Sequence, residues 1–152
     1  MSVRLSTDEA WDVLERSHTG ILTTLRADGT PIALPVWFVA LDRRLYVATP
    51  ARTKKVARLR RDPRVSFLVE SGLAWAELRA VHLTGTASIV GEPAMLARVR
   101  ARLDAKYAAF RTARSAMPEA TRRHYAGEQV VIEITPDERM LTWDNARLRL
   151  AD

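Results

Sequence analysis

The sequence contains no cysteine. That excludes disulfides, thiolate nucleophiles and cysteine-ligated zinc or iron–sulfur centres, and it leaves the redox compartment open. Long hydrophobic runs are also missing, and no window approaches the apolar length of a membrane span. The opening "MSVRLSTDEAWDVLERS" lacks the apolar segment of a signal peptide, so a cytoplasmic protein is expected. Aromatic residues make up only 7%, which counts against the stacking platforms of single-strand nucleic-acid binders. There is no G-x-S-x-G elbow, no Walker loop and no G-x-G-x-x-G, so serine-hydrolase and classical nucleotide folds are unsupported. His18, His82 and His124 follow no ligand spacing, and no metal is expected from them. His82 reads as a half-buried strand residue. Glu70 and Glu77 flank a loop, with nothing to mark them as an acid/base pair.

What is present reads as one soluble globular domain. The 152 residues are 47% hydrophobic and 28% charged, enough for a sizeable core. No internal repeat, low-complexity tract or linker divides them. The net charge of +6 and pI near 10.4 favour anionic partners. Charge alone does not choose between nucleic acid, phosphates and polycarboxylates.

Periodicity gives a series of short elements. "LSTDEAWDVLERS" predicts a helix, with Ser6 and Glu9 at capping-box spacing. Residues 19–25 form a β-branched strand, and the Asp28-Gly29 turn leads to a second strand over 30–41. Pro31 and Pro35 put at least part of that strand at a sheet edge or bulge. A turn at Asp42–Arg44 leads to a third strand, 45–49. A short helix over 52–61 stops at Asp62-Pro63. Strands follow at 64–70 and 76–90, the latter bent or bulged at Gly85. The strongest helix spans 92–110, with Pro93 in its first turn. A second, short helix covers 118–125, and strands at 128–136 and 139–145 close the sheet. Short connections imply antiparallel pairing and a barrel or sandwich.

The richest stretch for chemistry is "ATPARTKKVARLRRDPRVSFLVE", residues 48–70. Thr49, Arg52, Thr53, Lys54 and Lys55 lie between a strand end and a helix start. Free backbone N–H groups and the helix dipole favour an anion there, and Arg, Lys and Thr add donors. On composition alone, a phosphate cradle and a solvated helix face stand about level.

In order and spacing, that stretch resembles the pyridoxamine-phosphate-oxidase-like split-barrel flavoprotein superfamily. So do "GILTTLRADGTPIALPVWF" upstream, "AELRAVHLTGTASIV" in the middle and "VVIEITPDERMLTWDN" near the end. The last resembles a branch that includes deazaflavin-dependent reductases. The resemblance runs from about Thr19 to Asn145. It implies a mainly β, six-stranded antiparallel split barrel with peripheral helices. It also implies a homodimer with FMN or coenzyme F-420, a deazaflavin, in the groove between subunits. Carried over by position, Lys54 and Lys55 grip the cofactor phosphate, Ala48 and Thr49 approach it, and Arg52 and Thr53 fill the turn. Pro35, Val36 and Trp37 run along the ring. Arg58, Arg60, Arg61 and Arg64 are left as a solvated remainder.

The chain departs from the pyridoxamine phosphate oxidases proper. Ala33 and Phe38 stand where those enzymes carry two further basic contacts, and the terminal "TWDNARLRLAD" lacks their Arg-x-His motif. The resemblance therefore points away from vitamin B6 oxidation and toward the short members. The implied function is a reductase acting on a conjugated or quinone-like small molecule, with no catalytic side chain of its own. Flavin or haem storage without turnover is the alternative. No nucleic-acid or membrane partner is expected. Trp37 is either a ring contact or a core or interface aromatic. Trp75 either reaches into a partner's site or packs on its own barrel. Trp143 is expected in the core.

Overall fold

A computed structural model of the chain describes residues 2–148. Helix α1 spans Thr7–Arg16, with the Ser6–Glu9 capping box closed as its spacing predicts, and it buries Ala10, Trp11 and Leu14. The strands are β1 Gly20–Leu25, β2 Pro31–Val36, β3 Val39–Leu41, β4 Arg44–Pro50, β5 Arg64–Ser71, β6 Arg79–Ile89 and β7 Gln129–Asp144. Helix α2 spans Lys54–Arg61, α3 Pro93–Tyr107 and α4 Glu119–Ala126. No helix among the described residues is long and apolar enough to cross a membrane.

The strands form one antiparallel sheet in the order β2-β1-β5-β6-β7-β4-β3. β2 and β3 are two residues apart in sequence yet occupy opposite edges. The sheet must therefore curl until its edges meet at Trp37–Phe38, which is the architecture of a split barrel. The expected single strand over 30–41 is thus two strands, and seven strands replace the implied six. An unbroken apolar run carries no mark of such a crossing, because both halves face apolar surroundings. Pro31 and Pro35 do sit on an edge strand.

The two closing strands, by contrast, are one continuous strand, β7. Pro136 falls opposite Gly85, where the register slips. The bulge accommodates a residue that cannot donate to the ladder. A Cβ on Gly85 would lie 2.4 Å from the Thr135 carbonyl oxygen, so glycine is what lets the strands close up. The β3–β4 turn uses positive φ at both Asp42 and Arg43, a backbone twist that matches a tight hairpin.

Two apolar clusters hold the fold. One fills the barrel, with Leu22, Phe38, Leu45, Val47, Phe67, Leu83, Ile132 and Ile134. The other seats α3 on the outer face of β3, β4 and β7. Val99, Leu103 and Tyr107, one turn apart, meet Val39, Leu41, Tyr46 and Val131 there. Fully burying side chains of this size stabilises by about 1.5–3 kcal/mol each.

Candidate functional site

The basic segment folds into one cluster. Thr53 is the N-cap of α2, and its hydroxyl accepts the Val56 N–H at 3.4 Å. The N–H groups of Lys54 and Lys55 find no acceptor among the described residues. Val56 and Leu59 anchor the helix inward, which leaves its first turn open. Arg52 and Lys54 are exposed and Lys55 is half-buried. Burial, and then the neighbouring Arg58, push the Lys55 ammonium below its ordinary value.

No ion pair among the described residues reaches the start of α2. Arg43, Arg44, Arg64, Arg79, Arg98, Arg111, Arg123 and Arg147 each pair with a carboxylate. Arg52, Lys54, Lys55 and Arg58 have no carboxylate partner among the described residues. Of the expected solvated remainder, Arg60, Arg61 and Arg64 are exposed and Arg58 is half-buried. Arg64 is tied to Asp62, and Arg61 donates to the Leu25 carbonyl.

Thr49 sits differently from the lysines. It shares the inward face of β4 with Leu45 and Val47 and is 4% exposed. The exposed neighbour is Ala48.

Pro35, Val36 and Trp37 lie across the barrel seam from this cluster. β3 pairs with β4 as Val39 with Tyr46 and Leu41 with Arg44. The same register carried back would set Trp37 opposite Ala48 and Pro35 opposite Pro50. Instead, β2 leaves β4 there to pair with β1. The two groups of expected cofactor contacts therefore flank the split. Pro35 is exposed, Val36 is buried and Trp37 is 39% exposed. One indole face stacks on Tyr107, at 4.4 Å and 3° between planes.

Beside that strand lies a cavity of about 660 Å³. Val13, Arg16, His18, Ile21, Leu68 and Glu70 are among its walls. None of residues 48–64 lines it. Ile21 pairs in register with Pro35, and the His18 ring lies 6.0 Å from Trp37. The cavity thus adjoins the Pro35–Trp37 strand rather than the lysines.

Two other tryptophans lie further along the chain, Trp143 on the outer face of β7 and Trp75 in the loop before β6. Register places Pro35, Ile21, Leu68, His82 and Leu141 in one row on the outer face of five strands. His82 is half-buried, as expected. Trp143 is 51% exposed on that face opposite Ala80, not in the core. Strand parity decides this, since Trp143 shares its side with Leu141. Trp75 is 58% exposed and does not pack into its own barrel. Its loop is nonetheless held. The Glu77 carboxylate accepts the Leu73 and Ala74 N–H groups. Buried Asn145 donates to the Trp75 carbonyl at 2.6 Å and accepts from the Trp143 indole N–H.

Reading the sequence missed Lys106, Tyr107 and Asn145. Lys106 looks like one more cation on a basic helix. Its Nζ instead turns inward, donating to the Ser17 and Phe38 carbonyls at 2.6 and 2.9 Å. It lies 4.2 Å from the Phe38 ring centroid.

The fold is that of a split barrel, and the comparisons place the chain in a family of that fold. A family profile described as pyridoxamine 5'-phosphate oxidase matches residues 6–142, and the chain belongs to that family. No curated protein matches it. Among solved structures, it is similar to the conserved hypothetical protein Rv2991 from Mycobacterium tuberculosis. That match has 33% identity over 99% of this chain and 91% of the other, with TM-score 0.81. An F-420 reductase shares the fold at 24% identity, over 86% of this chain and 94% of that one, with TM-score 0.62. So does HutZ, the haem storage protein from Vibrio cholerae, at 15% identity over 94% and 96%, with TM-score 0.69.

Proposed function

We propose that this chain is a cytoplasmic, homodimeric oxidoreductase that uses coenzyme F-420 or FMN to reduce a conjugated or quinone-like small molecule. The observation that carries this reading is the basic start of α2, where Arg52, Lys54, Lys55 and Arg58 have no carboxylate partner among the described residues and two backbone N–H groups have no acceptor there. A half-buried lysine with no acidic partner is costly to keep charged. A phosphate at the free N–H groups of Lys54 and Lys55 would offset that cost. Arg52 and Arg58 widen the positive field, which suits the acidic tail of the deazaflavin. Thr49, being inward, serves by shaping the strand end.

The cofactor, when bound, supplies the hydride chemistry. The chain supplies position and exclusion of water. Pro35 and Val36 present strand backbone along the ring. Trp37, stiffened by its stack on Tyr107, offers a flat apolar wall. The adjoining cavity, with Ile21 and Leu68 at its floor and Arg16 and His18 at its rim, has room for a small aromatic substrate.

A second copy of the chain would cover the outer sheet row. Leu141 at 72%, Trp143 at 51% and Leu73 at 102% exposure form an apolar surface in want of a partner. Trp75 stands on a braced loop at its margin, where it could enter the other copy's site.

The deciding experiment titrates the purified protein with FMN and with F-420 in parallel, at low and moderate salt. Tight binding of either, followed by turnover of the reduced cofactor with quinones or enones, supports the reading. Binding without turnover favours storage, the reading that half-buried His82 in an apolar row also suits. Uptake of neither sinks the enzyme reading. Sedimentation of wild type and Leu141→Lys tests the dimer, which the charged variant should dissociate.

A further inference from the structure

The barrel is closed by a two-residue crossing, Trp37–Phe38, that belongs to neither edge strand. Phe38 is fully buried there. Its backbone N–H and C=O lie outside both ladders, and such groups cannot be left unpaired in the interior. The last turn of α3, 69 residues away, supplies both partners. The Tyr107 hydroxyl oxygen accepts the Phe38 N–H at 2.9 Å. Its proton is shared between the carbonyls of His18, at 2.7 Å, and Phe38, at 2.9 Å. Lys106 Nζ donates to the Phe38 and Ser17 carbonyls. The Tyr107 ring meanwhile carries the Trp37 indole. Two adjacent side chains thus satisfy the crossing, tie it to the end of α1 and fix the aromatic beside it.

We infer that Lys106 and Tyr107 are positioning residues that lock the barrel seam and hold Trp37 and the strand before it in register for the bound cofactor. The inference rests on the functional reading above for the word cofactor, and on hydrogen bonding alone for the lock. It gives α3 a role in closing the barrel. The stripe Val99–Leu103–Tyr107 packs the helix down, and its final turn transmits that packing to the seam.

The test uses the full chain and three variants. Tyr107→Phe keeps the ring stack and removes the hydroxyl. Lys106→Met keeps the stem and removes the donor. Val99→Ala weakens the same helix one side chain away from the lock. Three quantities are read: amide exchange at Phe38 by NMR, the thermal midpoint, and the dissociation constant of whichever cofactor the wild type binds. Tyr107→Phe and Lys106→Met should each weaken cofactor binding about five- to tenfold. Tyr107→Phe should also speed Phe38 exchange about tenfold. Val99→Ala should lower the thermal midpoint at least as far, yet leave the dissociation constant within about twofold, since it cuts packing and not position. If all three weaken binding in proportion to lost stability, or if Tyr107→Phe frees the amide without touching affinity, the positioning role is overturned. If the wild type binds neither cofactor, the functional reading fails separately. The lock is then decided by exchange alone, and an unchanged Phe38 rate in Tyr107→Phe refutes it.

Discussion

Lys55 and Lys106 make an instructive pair. Both are half-buried cations with no carboxylate partner among the described residues, and burial is the leading cause that lowers both. They differ in what their donors meet. Lys106 spends its donors on two backbone carbonyls at the seam. Lys55 sits at a helix start, where the neighbouring backbone groups are donors too and nothing among the described residues accepts. A desolvated cation among acceptors is structure. A desolvated cation among donors suits an anion, as the proposed clamp requires.

The contrast breaks cleanly under mutation. Lys55→Ala should weaken binding of a phosphate-bearing cofactor by about 10- to 100-fold, the worth of a charge-assisted bond or two, with the thermal midpoint unchanged or raised. Lys54→Ala should follow in the same direction with a smaller loss, because that side chain is exposed. Unchanged affinity in both would remove the clamp. Lys106→Ala should do the reverse in free energy, costing about 1–2 kcal/mol of stability as the Phe38 and Ser17 carbonyls lose a donor. Chemical denaturation measures this directly.

The smallest effect is a pH slope. Burial lowers Lys106 from 10.5 to about 8. In that interval the unfolded chain binds more protons than the folded one, so stability rises with pH from about 8 upward. Lys55 contributes in the same direction. Tyr46 and Tyr107 are pushed up by burial and so do not offset the rise below pH 10. Lys106→Met should flatten the slope measured by thermal melts between pH 8 and 10, and an undiminished slope would assign it elsewhere.

Much of the fold was legible because local chemistry announced it. The Ser6–Glu9 box, the Asp28-Gly29 turn, the Asp62-Pro63 stop and the Gly85 bulge each carry a backbone requirement that few residues meet. The basic helix start was legible for the same reason, since its Thr-Lys-Lys pattern follows a strand end. The seam was not. Nothing in "PVWFVAL" distinguishes a strand that continues from one that changes edge, because the deciding hydrogen bonds come from Tyr107. Nor could Pro136 be seen as tolerated within β7 without knowing that Gly85 stands opposite. Trp143 was misplaced because an apolar residue near a chain end does not reveal its strand's parity.

The placement of β7 bears on how the chain is made. This strand is the last element of the sheet to leave the ribosome, yet it lies between β6 and β4. Until it arrives, the β3–β4 hairpin has no ladder to the rest of the sheet, and the barrel cannot close. Of the sheet, only the β2-β1-β5-β6 part can pair contiguously before β7 inserts. Such a high-contact-order route is slow, and it leaves an unpaired strand edge open on the nascent chain until β7 has emerged.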